Sequence, residues 1–184
     1  YKEVYKEILI KTIQAKSPAL CDENEALEDM ERLLKAHEGE VCSVIIEPLV
    51  QCAGGMAMYD ASYIKALRFL CDKYGVHLIA DEIAVGFGRT GTMFACEQAG
   101  ISPDFLCLSK GITGGYLPLS AVMITDTVYN AFYCDYSEGK SFLDSHSYTG
   151  NTLACAAANA TLDYFEEENI LEKNQVHIQT MQKE

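Results

Sequence analysis

The sequence predicts an α/β fold with a mainly parallel central sheet flanked by helices. Short apolar segments rich in β-branched residues alternate along the chain with longer segments of helical periodicity, as is typical of βαβ units. Polar residues follow directly after several of these apolar segments, as is common at the ends of buried parallel strands. The 184 residues, of which 49% are hydrophobic and 22% charged, are enough for one well-packed domain.

The first predicted helix covers residues 25–38, where leucines form an apolar stripe and Gly39 ends the pattern. A buried strand is predicted over 41–46, directly before Glu47 and Pro48. The other predicted elements are a helix over 61–74, a strand over 76–80, strands over 105–108 and 119–124, and an alanine-rich helix over 151–167. All four strands are expected to be buried.

Composition argues against several classes of protein. A net charge of −13 disfavours nucleic-acid binding, which needs a basic face to neutralise phosphates. No apolar run approaches the roughly 20 residues of a membrane span, and no leader pattern stands at the start. The eight cysteines are spaced singly, mostly within apolar runs, so we expect small buried side chains with reduced thiols. We therefore expect a cytoplasmic protein without membrane or nucleic-acid partners.

Asp81 and Glu82 follow the second predicted strand, a place where ligands bind in open α/β sheets. Four apolar residues followed by Asp-Glu also describe the magnesium-holding strand of a P-loop ATPase. That alternative needs a GxxxxGK[ST] loop, but Cys134 occupies the first glycine position before the Gly-Lys-Ser at 139–141. A simple turn cap by Asp81 also remains open.

Lys110 follows the strand over 105–108 and precedes three glycines, Gly111, Gly114 and Gly115, which allow a backbone to approach a ligand closely. We expect this lysine to lie near the buried sheet. Burial lowers the pKa of an amine and makes the neutral nucleophile available for imine formation. The alternative is a lysine that extends along the surface to solvent.

The loop 145–151 runs straight into the last predicted helix. Its hydroxyls and backbone N–H groups suit a phosphate at the positive end of the helix dipole, and an ordinary N-cap is the alternative. His146 has no second histidine or cysteine at metal-ligand spacing, so no metal site is predicted.

Taken in order, four segments resemble the class III aminotransferases: 45–51, 78–91, 108–111 and 147–151. The resemblance covers nearly the whole chain from about Ser17 onward. Within the family, segments 51–56 and 151–160 are most similar to the branch that converts 8-amino-7-oxononanoate to 7,8-diaminononanoate in biotin biosynthesis. The alternatives are the ornithine, acetylornithine or 4-aminobutyrate branches, or a non-catalytic α/β fragment.

The resemblance implies the fold type I architecture of pyridoxal-phosphate (PLP) transferases and assigns the cofactor site. Lys110 would form the Schiff base with PLP and act as general base and acid. Asp81, 29 residues before it, would pair with the pyridinium nitrogen, and Ile83 would pack on one face of the ring. His146 and Ser147 would contact the cofactor, Ser147 at the phosphate, from the neighbouring subunit of a homodimer.

The resemblance also implies a substrate site for an amino donor and a keto-acid acceptor, formed by Ser145, Lys110, Glu47, Gln51 and Arg89. The amino donor stays open between adenosylmethionine and lysine. The family's glycine-containing phosphate loop, the aromatic residue that stacks on the cofactor and the substrate-binding arginine are not found in this sequence. Residues 1–184 are therefore expected to be an internal fragment of the large PLP-binding domain.

Overall fold

The computed structural model describes residues 7–181, and its elements alternate between helices and short strands. In chain order they are α1 (Glu23–Ala36), β1 (Ser43–Ile46), β2 (Val50–Gln51), β3 (Ala57–Met58), α2 (Ala61–Tyr74), β4 (His77–Asp81), α3 (Cys96–Ala99), β5 (Phe105–Leu108), β6 (Ala121–Ile124), α4 (Asp126–Phe132), α5 (Thr152–Glu167) and α6 (Ile170–Met181). Two 3₁₀ turns, Lys110–Thr113 and Tyr136–Glu138, lie between them.

The main sheet has four strands in the order β1-β4-β5-β6. β1 pairs with β4 and β4 with β5 in parallel, while β6 runs antiparallel to β5. Strands β2 and β3 form a separate antiparallel pair. The predicted α/β class with a mainly parallel central sheet is confirmed, and it places the carboxyl ends of β1, β4 and β5 at one edge.

Helix α2 supplies much of the main hydrophobic core because one face of it is apolar at helical spacing. Tyr63, Ile64 and Leu67 from this helix are buried against Leu78 of β4. Asp60 caps its first turn by accepting a hydrogen bond from the N–H of Ser62, and the helix ends at Gly75 in the left-handed conformation. The predicted bounds of this helix are correct for these reasons.

The N-terminal ends of β4 and β5 are tied to α2 by one carboxylate. Asp104 accepts hydrogen bonds from the backbone N–H of Leu78 and from the guanidinium of Arg68, both at 2.7 Å. Arg68 also pairs with Asp72 on its own helix. This connection lies at the end of the sheet opposite to the candidate site.

Two expectations about burial are wrong. Strands β1 and β6 were expected to be buried, but Ile45 is 62% exposed and Val122 and Met123 are 56% and 57% exposed, because each strand borders a single neighbour in the described sheet. The cysteines were expected to be mostly buried, yet only Cys71 and Cys96 are, and Cys42 is exposed. A residue within an apolar run of the sequence is buried only if other parts of the structure pack over it. All eight cysteines are free thiols, as expected.

The predicted helices and strands differ from the observed ones mainly at their ends, and several short elements were not predicted. Helix α1 begins two residues earlier than predicted, because the side chain of Asp22 accepts hydrogen bonds from the N–H groups of Asn24 and Glu25. The short elements β2, β3, α3 and α4 and the terminal helix α6 were not predicted. Elements β2, β3, α3 and α4 have only two to seven residues each, which is too few for a periodic pattern.

Candidate active site

Three candidate residues follow the ends of three adjacent parallel strands. In the register of the sheet, Ile46 pairs with Ala80 and Asp81 pairs with Cys107. Glu47 therefore follows β1 at the level where Asp81 ends β4, and Lys110 comes three residues after Cys107. The structure thus brings Glu47, Asp81 and Lys110 to the same edge of the sheet, where ligands bind in open α/β folds.

Asp81 caps the turn that follows it. Its Oδ1 accepts a hydrogen bond from the backbone N–H of Ile83 at 3.1 Å, and both side chains are half-buried. Burial, together with the nearby Asp81 carboxylate, raises the pKa of the Cys107 thiol on the neighbouring strand. The interpretation of Asp81 as a turn cap is therefore correct, and it leaves the Oδ2 atom for another role, since no hydrogen bond to Oδ2 is found among residues 7–181.

Lys110 begins the 3₁₀ turn Lys110–Thr113 with its backbone in the left-handed region, at φ 46°. Such a conformation is costly for a residue with a side chain, and strained residues of this kind are enriched at functional sites. Lys110 lies just after β5, close to the sheet as expected, but the expected burial is wrong because its side chain is exposed. The turn carries the lysine beyond the end of β5 and onto the wall of an open cleft.

That cleft has a volume of about 1180 Å³ and is lined by both Lys110 and Arg89. Phe87, Tyr116 and one side of α5 form most of its apolar wall. Helix α5 packs directly on the Lys110–Thr113 turn. The predicted proximity of Arg89 to the lysine is therefore consistent with the structure, since the two cationic side chains share one concave surface.

A second cleft, of about 620 Å³, joins Ser109 with part of the loop before α5. His146, Thr149 and Asn151 line it. Asn151 acts as an ordinary N-cap, since its Oδ1 accepts hydrogen bonds from the N–H groups of Leu153 and Ala154. Two amides in the first turn of α5, at the positive end of the helix dipole, therefore already have a partner within the chain.

Only one of the three loop residues expected to contact the cofactor or the substrate lines a cleft. His146 reaches the second cleft, whereas Ser145 and Ser147 do not line it, and all three side chains are exposed. The Nδ1 atom of His146 accepts a hydrogen bond from the N–H of Tyr148 at 3.2 Å. These three residues are thus open to contacts beyond the chain itself.

Glu47 and Gln51 do not line the cleft that contains Lys110. An Oε2 atom of Glu47 accepts a long hydrogen bond, 3.4 Å, from the N–H of Ala53. Gln51 lies on β2, where its Oε1 accepts the hydroxyl hydrogen of Ser17 at 2.5 Å. Both side chains stabilise the segment around the β2–β3 pair, and a substrate contact by either stays a prediction.

Glu82 was noted only as a polar residue after the second predicted strand, and Phe87 was given no role, although both lie inside the 78–91 segment. Glu82 is completely buried, and its carboxylate accepts hydrogen bonds from the N–H groups of Ala95 and Cys96. Phe87 packs closely on Gly111. The available signal was an acidic residue within a largely apolar stretch, but a sequence does not show which distant amides such a residue meets.

Among residues 7–181, no group of three or more histidine, cysteine or acidic side chains is arranged to hold a metal ion. Within the same range, no helix has the length and apolar character needed to cross a membrane.

Comparison with known proteins identifies the class to which this fold and site correspond. The aminotransferase class-III family matches residues 1–184, and the chain belongs to this family. Two relatives, both called adenosylmethionine-8-amino-7-oxononanoate aminotransferase, are similar over almost the whole chain. The protein from Helicobacter pylori is 57% identical over 175 residues, which cover 95% of this chain and 40% of that protein. The protein from Aquifex aeolicus is 49% identical over 188 residues, which cover 96% and 41%.

A solved structure gives the same result for the fold. The crystal structure of adenosylmethionine-8-amino-7-oxononanoate aminotransferase from Methanocaldococcus jannaschii matches with a TM-score of 0.92 and 42% sequence identity. The match covers 99% of this chain and 42% of that one. The resemblance and the fold class predicted from the sequence are confirmed. The chain spans about 40% of the length of the curated relatives that it matches.

Proposed function

We propose that this chain is part of the large cofactor-binding domain of a PLP-dependent aminotransferase in which Lys110 binds the cofactor. The observation that carries the proposal is the parallel register of β4 and β5. In this class III aminotransferase chain, that register has Asp81 at the carboxyl end of β4 and Lys110 just after the carboxyl end of the neighbouring β5. An amine and a carboxylate on neighbouring strand ends are the two groups that the chemistry needs.

The residues present fit PLP by the chemistry of their side chains. Lys110 offers a primary amine, exposed on a cleft wall, for the aldehyde carbon of the cofactor. Asp81 offers an anionic oxygen, Oδ2, for a protonated ring nitrogen, while Oδ1 fixes the carboxylate to the turn through Ile83. The half-buried side chain of Ile83 supplies an apolar contact for the ring. When bound, PLP acts as an electron sink for the substrate's amine-bearing carbon.

Each of these residues then has a defined task in amino transfer. The amine of Lys110 would hold the cofactor between reactions, and the free amine would move a proton to and from the substrate carbon during the reaction. The negative charge of Asp81 would keep the ring nitrogen of the cofactor protonated. Arg89, which lines the same cleft as Lys110, would attract an anionic substrate.

We propose that the whole protein transfers an amino group to 8-amino-7-oxononanoate and so forms 7,8-diaminononanoate in biotin biosynthesis. The support is the name shared by relatives that are 57% and 49% identical over nearly the entire chain. These names favour this substrate over ornithine, acetylornithine or 4-aminobutyrate, and S-adenosyl-L-methionine over lysine as the amino donor. A cytoplasmic location follows as an expectation for such a biosynthetic enzyme.

We further propose that the enzyme is a homodimer with shared active sites. The exposed side chains of Ser145, His146 and Ser147 support this arrangement, because they are available to the site of a neighbouring subunit. In that site, Ser147 and His146 would contact the cofactor and Ser145 the substrate. Glu47 and Gln51 would approach the substrate from the β2–β3 side of their own subunit.

The test compares the full-length wild-type protein with Lys110→Ala and with the control Lys65→Ala, an exposed lysine on α2. Each protein is incubated with PLP, reduced with borohydride and analysed by peptide mass spectrometry. We expect the adduct on the Lys110 peptide in the wild type and the control, and no adduct there in Lys110→Ala. A wild-type protein that takes up no PLP, or carries it on another lysine, contradicts the proposal.

The substrate is tested separately with the PLP-loaded full-length enzyme. Adenosylmethionine and lysine are each offered as donor, with 8-amino-7-oxononanoate as acceptor, and ornithine and 4-aminobutyrate are offered as competing donors with 2-oxoglutarate. We expect 7,8-diaminononanoate to form with adenosylmethionine as donor. Turnover of ornithine or 4-aminobutyrate without formation of 7,8-diaminononanoate would place the enzyme in another branch of the family.

A further inference from the structure

Glu82 is the only acidic side chain in the range 7–181 that is completely buried, at 0% exposure. Its Oε2 accepts a hydrogen bond from the N–H of Ala95 at 2.6 Å, and its Oε1 accepts one from the N–H of Cys96 at 2.8 Å. No ion pair within the described range includes Glu82. A buried carboxylate without a cation is expensive, so these two amides are essential to its presence there.

The backbone of Glu82 also forms hydrogen bonds with β5 and with the turn that follows β4. The N–H of Glu82 donates to the carbonyl of Cys107 at 3.0 Å, which extends the pairing of β4 with β5 by one residue. The carbonyl of Glu82 accepts from the N–H of Gly86 at 2.9 Å, which forms the first turn after the strand. Its carboxylate closes residues 82–96 into a loop, which we call the 82–96 loop.

The 82–96 loop begins directly after one proposed cofactor residue, Asp81, and packs against the residue that follows another, Lys110. Asp81 directly precedes it and Ile83 is its second residue. Further along, Phe87 contacts Gly111, the residue after Lys110, so closely that a Cβ on Gly111 would lie 2.8 Å from the Cβ of Phe87. The position of this loop therefore affects both sides of the proposed cofactor site.

Helix α6 holds the outer side of the loop. Asn174 donates a hydrogen bond to the carbonyl of Gly88 at 3.1 Å, and Gln175 donates one to the carbonyl of Gly91 at 2.8 Å. These contacts come from partly or fully exposed side chains, whereas Glu82 holds the loop from the interior. The buried carboxylate is thus the inner attachment point of the 82–96 loop.

We propose that Glu82 is a positioning residue of the aminotransferase site, which holds Asp81, Ile83 and the 82–96 loop in place against Lys110 without contacting the cofactor. This inference rests on the proposed function. Its physical basis is that one carboxylate, between Asp81 and Ile83 in sequence, determines where the loop begins and where it returns.

Glutamine is a sensitive replacement because it has nearly the same shape but only one acceptor oxygen. Its NH₂ group would face the N–H of either Ala95 or Cys96, so that two donors would meet in a buried place. Leaving a buried donor without its partner has a cost that corresponds to a change of about tenfold or more in an equilibrium constant. Aspartate keeps the charge but is one methylene too short to reach both amides.

The test uses the full-length protein with Glu82→Gln, Glu82→Asp and the control Glu97→Gln. Glu97 is exposed, lies on α3 directly after the 82–96 loop and accepts one hydrogen bond, from the N–H of Phe94. Three quantities are measured: the thermal midpoint of the apoprotein, the PLP dissociation constant at a temperature where the apoprotein is folded, and the pH midpoint of the bound cofactor's absorbance change.

We expect Glu82→Gln to raise the PLP dissociation constant about tenfold or more and to move the pH midpoint, while Glu97→Gln matches the wild type. If Glu82→Gln lowers only the thermal midpoint and leaves the other two quantities unchanged, Glu82 is merely structural and the proposal is wrong. If Glu82→Gln gives no folded apoprotein, Glu82→Asp decides: an unchanged dissociation constant and pH midpoint overturn the proposal. A wild-type protein that does not bind PLP on Lys110 refutes the proposed function instead, which the adduct analysis shows independently.

Discussion

Gly111 and Phe87 approach each other so closely that a Cβ on Gly111 would stand 2.8 Å from the Cβ of Phe87. Cβ atoms are attached to the backbone, so neither residue can relieve such an overlap by a change of rotamer. Gly111 follows Lys110 in the 3₁₀ turn, and Phe87 belongs to the 82–96 loop. The missing side chain of Gly111 therefore determines how near the loop lies to the lysine.

Gly111→Ala is expected to weaken PLP binding and to lower stability by about 1–3 kcal/mol, the usual cost of overpacking. The added methyl group must push the Lys110–Thr113 turn and the 82–96 loop apart. Titration of the full-length apoprotein with PLP and its urea unfolding measure the two effects. Gly54→Ala is the control, because its Cβ would approach Gln51 only to 3.3 Å, a tight contact that a much smaller shift relieves. An unchanged dissociation constant in Gly111→Ala would show that the contact does not influence the site.

Asp81→Asn is expected to lower turnover by about 100-fold or more while most of the bound PLP is retained. The asparagine oxygen can still accept the N–H of Ile83, so the turn is kept and only the negative charge is lost. The measurement is kcat together with bound PLP per chain. Asp163→Asn, on an exposed position of α5, is expected to change neither quantity. Equal losses of turnover and cofactor in Asp81→Asn would indicate a binding role instead.

Asn151→Ala is expected to destabilise the protein by about 1 kcal/mol, because the N–H groups of Leu153 and Ala154 lose their cap. Urea unfolding of the full-length apoprotein measures the change. The matched control is Asn159→Ala, an exposed position within the same helix, where alanine has the better helix propensity. A loss of stability as large in the control would show that the cap is not the cause.

The hydrogen bonds of Asp104 lead us to expect that the free energy of unfolding depends on pH. Burial alone would raise the pKa of its carboxyl, but hydrogen bonds from Arg68 and from the N–H of Leu78 outweigh burial and hold the pKa below its usual range. Because the pKa is lower in the folded state, the carboxylate of Asp104 contributes to the free energy of unfolding. This contribution is complete above the unfolded-state pKa of about 3.9 and is lost as the pH falls through the folded-state pKa.

We therefore expect Asp104→Asn to be less stable than the wild type at pH 7, and the difference to shrink as the pH falls below about 4. Urea unfolding of both proteins between pH 7 and the lowest pH at which the wild type folds measures this difference in stability. Asp163→Asn again controls for the loss of one negative charge. A difference that stays constant down to the lowest pH at which the wild type folds would show that the charge of Asp104 contributes nothing.

Much of the fold was predictable because its signals are local. The apolar face of α2 between Asp60 and Gly75 identifies the helix with its bounds. The apolar run Phe105–Leu108 likewise identifies β5. Strand β6 shows the limit of such signals, since its sequence is that of a buried strand but the space beside it is open in the described part of the chain.

For the site, the sequence alone determined the candidate residues Asp81 and Lys110, because their chemistry and the four motif segments are local properties of the chain. Only the tertiary structure decided that Lys110 is exposed on a cleft with Arg89, and that Asn151 already caps α5. It also revealed Glu82 as the inner attachment of the 82–96 loop. The physical reason is that burial and hydrogen bonding join residues distant in sequence, such as Glu82 with Ala95 and Phe87 with Gly111, and no local pattern records those partners.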